Sequence, residues 1–148
     1  LIKKQGVGVF DKKLLKIFAE GLKNLDIKFA WILNSEDGLD EISPYAKTNV
    51  IQLKYGELSE ITIDPNKLDI NADKFENLIG DDAQFNANKI LDIFKGEDND
   101  FLFSFCLNAA AGLIVGEKFT KFNEAYSHAR EFILSGKTYL HLQKIQNV

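Results

Sequence analysis

The chain has 148 residues, of which 45% are apolar and 27% are charged, and its net charge is −4. A chain of this length and composition is typical of one globular domain with its own hydrophobic core. Arg130 is the only arginine among 18 lysine and arginine residues, so no arginine-rich basic stripe supports nucleic-acid binding.

The sequence shows no feature of a secreted or membrane-spanning protein. The longest uncharged apolar stretch, residues 101–115, is too short and too polar to cross a bilayer. The first four residues do not begin a signal peptide, and the lone Cys106 cannot form an internal disulfide bond, so we expect a cytoplasmic protein. Because the chain starts at Leu1 and contains no methionine, we expect it to be a fragment or a processed piece.

A strand, a helix and a second strand are predicted at the start of the chain. Residues 6–10 form a short β-branched run, and Asp11 is the expected N-cap of a helix whose apolar residues recur from Leu14 to Leu25. Residues 28–33 form the second, strongly apolar strand. A helix between two strands is typical of a crossover connection, so we expect this pair to be parallel.

An acidic loop follows the second strand. Residues 37–43 read Asp-Gly-Leu-Asp-Glu-Ile-Ser and place Asp40 beside Glu41, with Gly38 to let the loop turn and Ser43 to brace the next segment. In an open α/β sheet, ligands bind in the crevice beyond the carboxyl ends of the strands. Two carboxylates there suit Mg²⁺, which prefers carboxylates, waters and phosphate oxygens. On these residues alone, a helix cap or a solvated turn is the commoner explanation.

The rest of the chain changes from strands to helices. Two extended pieces at 49–53 and 58–63 are joined by a hairpin-like connection with a glycine, and residues 67–79 are irregular apart from one helical turn near 73–78. Helices follow, and their predicted ranges are 82–96, about 100–115, about 122–134 and a short one after Gly136. We expect residues 1–148 to form one α/β domain with a mainly parallel sheet flanked by helices.

Two other groups of residues could carry chemistry. Glu124 and His128 lie four residues apart on a predicted helix, which could supply half a metal site, although an exposed ion pair is the better interpretation. Cys106 lies in the most apolar helix, where a buried small hydrophobe is a better interpretation than a nucleophile.

Structural roles are also favoured for the remaining candidates. Arg130 could bind phosphate, but its place beside Glu131 on a late amphipathic helix favours a surface pair. Asp81 and Asp82 come at a helix start, where carboxylates satisfy free N–H groups. Trp31, central in its strand, is expected in the core.

Several local patterns occur in a fixed order along the chain. They are Lys4-Gln5 with Gly8-Val9-Phe10, the loop 37–43, Gly56-Glu57 with Pro65, Gly80-Asp81-Asp82-Ala83 with Asn86-Ala87, Asn108-Ala109-Ala110, and Ser135-Gly136-Lys137. This succession closely resembles the carboxyl-terminal part of the anthranilate phosphoribosyltransferase family. The resemblance covers essentially all 148 residues, and it implies the α/β domain of the nucleoside phosphorylase/phosphoribosyltransferase fold.

The resemblance implies a reaction and a metal site. The family joins anthranilate to the ribosyl 5-phosphate of phosphoribosyl pyrophosphate (PRPP) and releases pyrophosphate, in tryptophan biosynthesis. Its acidic pair helps to hold Mg²⁺ on the pyrophosphate, and the matching positions here are Asp40 and Glu41. The resemblance also implies a homodimer formed through an amino-terminal helical domain. The charge and the lack of a membrane-spanning stretch, described above, predict no nucleic-acid or membrane partner.

This sequence departs from the family pattern in several places. Asn34 and Ser35 stand where the family often has a histidine and a glycine, and Asp81 replaces one glycine of a pair. The family's Gly-Thr-Gly-Gly-Asp loop, its Lys-His-Gly-Asn-Arg segment and its anthranilate-binding arginine are absent, and Gly6-Val7-Gly8 is not a substitute. We therefore expect the 148 residues alone to be inactive.

Two alternatives from other functional classes remain open. One is a non-catalytic relative that uses the same fold to bind nucleic acid, against which the −4 charge and the intact Asp40-Glu41 pair count. The other is a nucleoside phosphorylase, which shares the general architecture. The acidic loop and the Asn-Ala patterns fit the anthranilate family better, but composition alone does not separate the two enzymes.

Overall fold

A computed structural model describes residues 2–68 and 78–146. Its strands are β1 (Lys4–Gly8), β2 (Phe29–Ser35), β3 (Thr48–Lys54) and β4 (Glu57–Ile63). Its α-helices are α1 (Leu14–Asn24), α2 (Ala83–Lys95), α3 (Leu102–Val115), α4 (Phe122–Leu134) and α5 (Lys137–Gln146). The predicted α/β fold class is therefore observed. The predicted helical turn near 73–78 falls on residues that, apart from Leu78, lie outside this description.

The sheet is mixed, so the prediction of a mainly parallel sheet is matched only in part. The strand order is β1-β2-β3-β4, with β1 and β2 parallel and the other two neighbouring pairs antiparallel. Parallel neighbours need a crossover connection, which α1 provides between β1 and β2. The later connections, residues 36–47 and 55–56, contain no helix in the structure, so each chain direction reverses.

A tight turn joins β3 to β4, as the glycine there predicts. Tyr55 has a φ of 49° and Gly56 a φ of 90°. Two successive positive φ values are typical of the two-residue turns that match the twist of a β-hairpin. The hairpin after the acidic loop is therefore confirmed.

The core lies on both faces of the sheet, and β2 is buried along its whole length. Its residues Phe29, Trp31 and Leu33 pack toward the layer of α2, α3 and α4. Ala30 and Ile32 point to the other face, where they pack with residues of α1. A strand buried on both faces needs a continuous apolar run rather than an alternating one, which explains the sequence of β2.

Helix ends follow the predicted signals in part. Asp82 caps α2 by accepting a hydrogen bond from the Phe85 N–H at 2.8 Å, and Gly96 ends it with a φ of 98°. At α1 the prediction of Asp11 as the N-cap is wrong in detail, because Lys13 occupies that position and makes no side-chain cap. Asp11 instead accepts from the Lys13 N–H at 2.9 Å, which orders the chain just before the helix.

Candidate functional site

The acidic loop lies over the carboxyl end of β1. Gly8 ends that strand, and a Cβ added to it would stand 1.7 Å from the carbonyl oxygen of Asp40. Only a residue without a side chain leaves room for this approach. In the Gly6-Val7-Gly8 run, close backbone packing is thus found at Gly8. It places residue 40 where the two parallel strands end, which is the expected location of a ligand crevice.

Buried hydroxyl groups hold the loop backbone from below. The Ser35 Oγ donates to the Glu41 carbonyl oxygen at 2.7 Å, accepts from the Ser43 N–H at 3.1 Å and lies 2.5 Å from the Thr48 Oγ1. Ser35, Ser43 and Thr48 are at most 1% exposed. Hydrogen bonds in such a dry environment are costly to break, so the backbone around Glu41 is firmly positioned.

A helix on one face of the sheet holds the loop from the side. Asn108 of α3 accepts from the Ile42 N–H at 2.9 Å and donates to the Ile42 carbonyl oxygen at 3.2 Å. The Ile42 side chain is fully buried in the core beneath. Asn108 thus satisfies both backbone polar groups of a residue whose side chain anchors the loop.

The turn of the loop is stabilised within the loop itself. Gly38 has a φ of 93°, as its predicted role in the turn requires. The Asp37 Oδ2 accepts from the Ser43 hydroxyl at 2.5 Å, and that hydroxyl accepts in turn from the Tyr45 and Ala46 N–H groups at 3.0 and 3.2 Å. Ser43 therefore braces the following segment, as predicted, and Asp37 is committed to this structural role.

Asp40 and Glu41 differ from Asp37 because their carboxylates are not used by the fold. Both residues are exposed, and their side chains make no hydrogen bond or ion pair among the residues that the structure describes. Within that same part of the chain, no three His, Cys, Asp or Glu side chains cluster closely enough to hold a metal. Two free carboxylates fit Mg²⁺ as a partial donor set, to be completed by waters and phosphate oxygens.

The departures from the family pattern have structural roles here. Asn34 is 6% exposed and donates from its Nδ2 to the Val9 carbonyl oxygen at 2.8 Å, which joins the ends of β2 and β1. Ser35 holds the loop, as described above. The Asp81 Oδ1 accepts from the Asp82 N–H at 2.9 Å at the start of α2.

The other candidate residues have structural roles or lie on the surface. The predicted pair of Glu124 with His128 is not formed: Glu124 pairs with Lys121 at 2.8 Å, and the His128 ring lies against Phe119 with centroids 5.0 Å apart. Cys106 is fully buried, and this burial raises the pKa of its thiol to about 12, so it is a core residue as predicted and not a nucleophile.

Arg130 and Trp31 also have the roles that the sequence predicted for them. Arg130 makes a surface pair, although its partner is Asp98 at 3.1 Å and not the neighbouring Glu131. Trp31 is 3% exposed, and its Nε1–H donates to the Gln52 Oε1 at 3.0 Å. Neither side chain lies in the acidic loop.

Ser35 and Asn108 together clamp the backbone of the acidic loop at Glu41 and Ile42. The sequence did not lead us to predict this clamp. A signal existed for Asn108, because it is a lone amide in the most apolar helix of the chain, where a polar side chain needs a partner. For Ser35 no comparable local signal existed.

Known proteins resemble the chain over most of its length. Residues 1–139 match the family described as "Glycosyl transferase family, a/b domain". The anthranilate phosphoribosyltransferase of Pelagibacter ubique (strain HTCC1062) is 73% identical over 148 residues, which cover 100% of this chain and 45% of that protein. The corresponding enzyme of Clostridium kluyveri is 36% identical over 146 residues, 99% of this chain and 44% of that protein. The chain thus spans less than half the length of these relatives.

Solved structures show the same fold. Anthranilate phosphoribosyltransferase from Thermus thermophilus superposes with a TM-score of 0.82 at 26% identity, covering 93% of this chain and 40% of that one. The enzyme from Saccharomyces cerevisiae in complex with PRPP and Mg superposes with a TM-score of 0.83 at 20% identity, covering 95% and 41%. With the match over residues 1–139, these findings show that the chain belongs to the glycosyl transferase family, as its a/b domain.

Proposed function

We propose that this chain is the part of an anthranilate phosphoribosyltransferase that presents the metal-binding carboxylates. The observation that carries the proposal is the 73% identity, over all 148 residues, with a protein of that name. The parent would transfer phosphoribosyl from PRPP to the amino group of anthranilate and release pyrophosphate, in tryptophan biosynthesis. A cytoplasmic location and a homodimer formed through the part outside this chain stay predictions.

The geometry of the acidic loop supports this role. Asp40 and Glu41 are exposed and free of other bonds, whereas the backbone that carries them is clamped at Glu41 and Ile42 by buried or half-buried side chains. A rigid backbone with unoccupied acceptors loses little entropy when it binds a cation. The two carboxylates would hold Mg²⁺ directly or accept hydrogen bonds from its waters. When bound, the metal would neutralise charge that develops on the departing pyrophosphate.

No side chain of this chain needs to act as a nucleophile. The amine of anthranilate attacks the anomeric carbon of the ribose, where the bond to pyrophosphate breaks with oxocarbenium character. The residues described here therefore contribute by positioning and by charge. The expected cradle for most of the PRPP lies outside the chain, so we propose that the 148 residues alone have no activity.

A chimera tests this proposal. This chain replaces the matching 148 residues of the Pelagibacter ubique enzyme, and consumption of anthranilate is followed by its fluorescence with PRPP and Mg²⁺. We expect an active chimera, and we expect Asp40→Asn and Glu41→Gln to lower turnover by about 10²-fold with a shifted Mg²⁺ dependence. Glu36→Gln, which removes an exposed carboxylate directly before the acidic loop, is the matched control and should leave turnover unchanged.

Three results would contradict the proposal. A chimera that is folded by circular dichroism but lacks activity would exclude the assigned reaction. Normal turnover of both carboxylate variants at limiting Mg²⁺ would exclude the metal role. Product formation by the isolated 148 residues would exclude their dependence on the rest of the family fold.

A further inference from the structure

Asn108 of α3 makes three hydrogen bonds that allow its side-chain amide only one orientation. Its Oδ1 accepts from the Ile42 N–H at 2.9 Å, and its Nδ2 donates to the carbonyl oxygens of Ile42 at 3.2 Å and of Ser104 at 2.9 Å. Turning the amide by half a rotation would set its oxygen against two carbonyl oxygens and its nitrogen against an N–H group. Asn108 is therefore a fixed support for the loop.

The peptide unit between Glu41 and Ile42 is held at both of its polar ends. Its carbonyl oxygen accepts from the Ser35 Oγ at 2.7 Å, and its N–H donates to the Asn108 Oδ1 at 2.9 Å. A peptide unit is planar, so two hydrogen bonds on opposite sides fix the direction in which the plane faces. Since the Cα of Glu41 lies in this plane, the clamp also orients the backbone of Glu41.

The preceding peptide unit is held by β1. The carbonyl oxygen of Asp40 lies so close to Gly8 that a Cβ added there would stand 1.7 Å from it. The peptide units on the two sides of the Glu41 Cα are thus both held by the fold, one at β1 and the other at Ser35 and Asn108. The backbone torsions of Glu41 are therefore fixed, and only its side-chain torsions stay adjustable.

A bend in the chain at residues 40 and 41 depends on this support. Neighbouring side chains of an extended chain point to opposite sides, so adjacent carboxylates approach one cation most easily where the chain bends. The chain bends at both Asp40 and Glu41. Neither carboxylate is bonded within the described part of the chain, so their own side chains do not maintain the bend. It is maintained by Gly8, Ser35 and Asn108.

We propose that Asn108 is a positioning residue for the metal-binding pair, and that it sets the Mg²⁺ affinity of Asp40 and Glu41 without touching the metal. The inference rests on the proposed function, which gives the pair its metal role. Ligands that are held in place before the cation arrives lose less entropy on binding. Loss of the Asn108 amide should therefore weaken Mg²⁺ binding and leave turnover at saturating Mg²⁺ almost unchanged.

The test measures the Mg²⁺ dependence of turnover in the chimera described above, at a temperature where circular dichroism shows each variant to be folded. Asn108→Ala should raise the Mg²⁺ concentration for half-maximal turnover by about tenfold and change turnover at saturating Mg²⁺ by less than about twofold. Asn108→Leu keeps the size of the side chain but none of its hydrogen bonds. It should have the same effect, which would exclude a cavity as the cause.

Val115→Ala is the matched control for lost stability. Val115 is a buried residue of the same helix and belongs to the core beneath the sheet face, away from the clamp. Removing two buried methyl groups lowers stability but leaves every hydrogen bond of the loop in place. The half-maximal Mg²⁺ concentration should therefore stay unchanged in this variant.

Binding of Mn²⁺ to the 148-residue chain tests the same role without enzyme activity. Mn²⁺ is paramagnetic and broadens the NMR signals of nearby amides. Broadening at Glu41 and Ile42 that Glu41→Gln abolishes would report binding at the pair. Asn108→Ala should raise the Mn²⁺ concentration needed for this broadening by about tenfold, whereas Val115→Ala should not.

Ser35 provides a further test, because it holds the other end of the same peptide unit. Loss of either support frees the plane of that unit, so the two effects should not add. Ser35→Ala alone should raise the half-maximal Mg²⁺ concentration in the chimera, but it should add less than about twofold once Asn108 is replaced by alanine.

Three outcomes would overturn the proposal. They are an unchanged Mg²⁺ dependence in both Asn108 variants, an equal shift in Val115→Ala, and fully additive effects of Ser35→Ala and Asn108→Ala. An inactive chimera without substitutions would contradict the proposed reaction instead. The Mn²⁺ measurement would then decide the positioning role by itself, so the two failures are distinguishable.

Discussion

Two connections in this sheet join antiparallel neighbours, and they are built in different ways. Residues 55–56 join β3 to β4 by a tight turn whose conformation depends on two positive φ values. Residues 36–47 join β2 to β3, and their backbone is held by Ser35 and by Asn108 of α3, which is 66 positions from Ile42 in the sequence. The first connection is specified locally and the second by tertiary contacts.

The difference explains how the acidic loop can be ordered and still leave two carboxylates free. In the turn, the backbone and a glycine are sufficient to fix the conformation, and we expect no function there. In the loop, the structural hydrogen bonds come from Ser35, Asp37 and Asn108, so Asp40 and Glu41 are not needed for stability. A site is best held in this way, by supporting groups other than its own ligands.

The largest effect is expected at the contact between β1 and the loop. In Gly8→Ala, the new Cβ would overlap the Asp40 carbonyl oxygen, so the loop or the strand must move, and we expect the free energy of unfolding to fall by about 3 kcal/mol. Gly6→Ala, whose Cβ meets nothing within 4 Å, is the control in the same strand. Urea denaturation measures both, and equal stabilities would show that the loop does not depend on Gly8.

The clamp from α3 should have the next largest effect. Asn108→Ala leaves the N–H and the carbonyl oxygen of Ile42 without partners near the core, and we expect a loss of about 2 kcal/mol in urea denaturation. Asn88→Ala, at an exposed position of α2, controls for the change in helix propensity. If both variants had the same stability, the loop would not be held by tertiary contacts as described.

A smaller effect is expected in the local turn. Gly56→Ala forces a side chain into a φ of 90°, which should cost about 1 kcal/mol without affecting the acidic loop. The control is Gly21→Ala in α1, where an added Cβ has space and helix propensity should raise stability by about 0.5–1 kcal/mol. Thermal unfolding should therefore shift in opposite directions, and a shift in the same direction would contradict the role of positive φ at Gly56.

The smallest effect is expected at a contact between the turn and the end of α3. It is the only side-chain contact between them that we identify in the described residues. Tyr55 donates to the Glu117 Oε1 at 2.9 Å at an exposed site, so Tyr55→Phe should leave stability unchanged. The hydrogen bond from Lys4, followed by that from Tyr55, lowers the pKa of Glu117. The variant should therefore raise that pKa, which a carboxyl titration by NMR would detect; an unchanged pKa would show that the contact is not formed.

The sequence predicted elements best where the signals are local. The helix at 122–134, the hairpin glycine, the Asp82 cap and the buried states of Trp31 and Cys106 are all found in the structure. The prediction of a mainly parallel sheet was matched only in part, at β1 and β2, because strand direction depends on which strands pair, and that choice is made by the whole fold. The metal role of Asp40 and Glu41 stays a prediction.

By itself the sequence determined the β-α-β start, the apolar run that buries β2 and the adjacency of the two acidic residues, because each depends on side chains within a few positions of one another. Only the tertiary structure decided that Gly8 admits the Asp40 backbone, that Asn108 reaches Ile42, and that β1 and β4 are the edge strands among those that the structure describes. These contacts join distant parts of the chain, and their geometry depends on how layers pack, which local patterns do not encode.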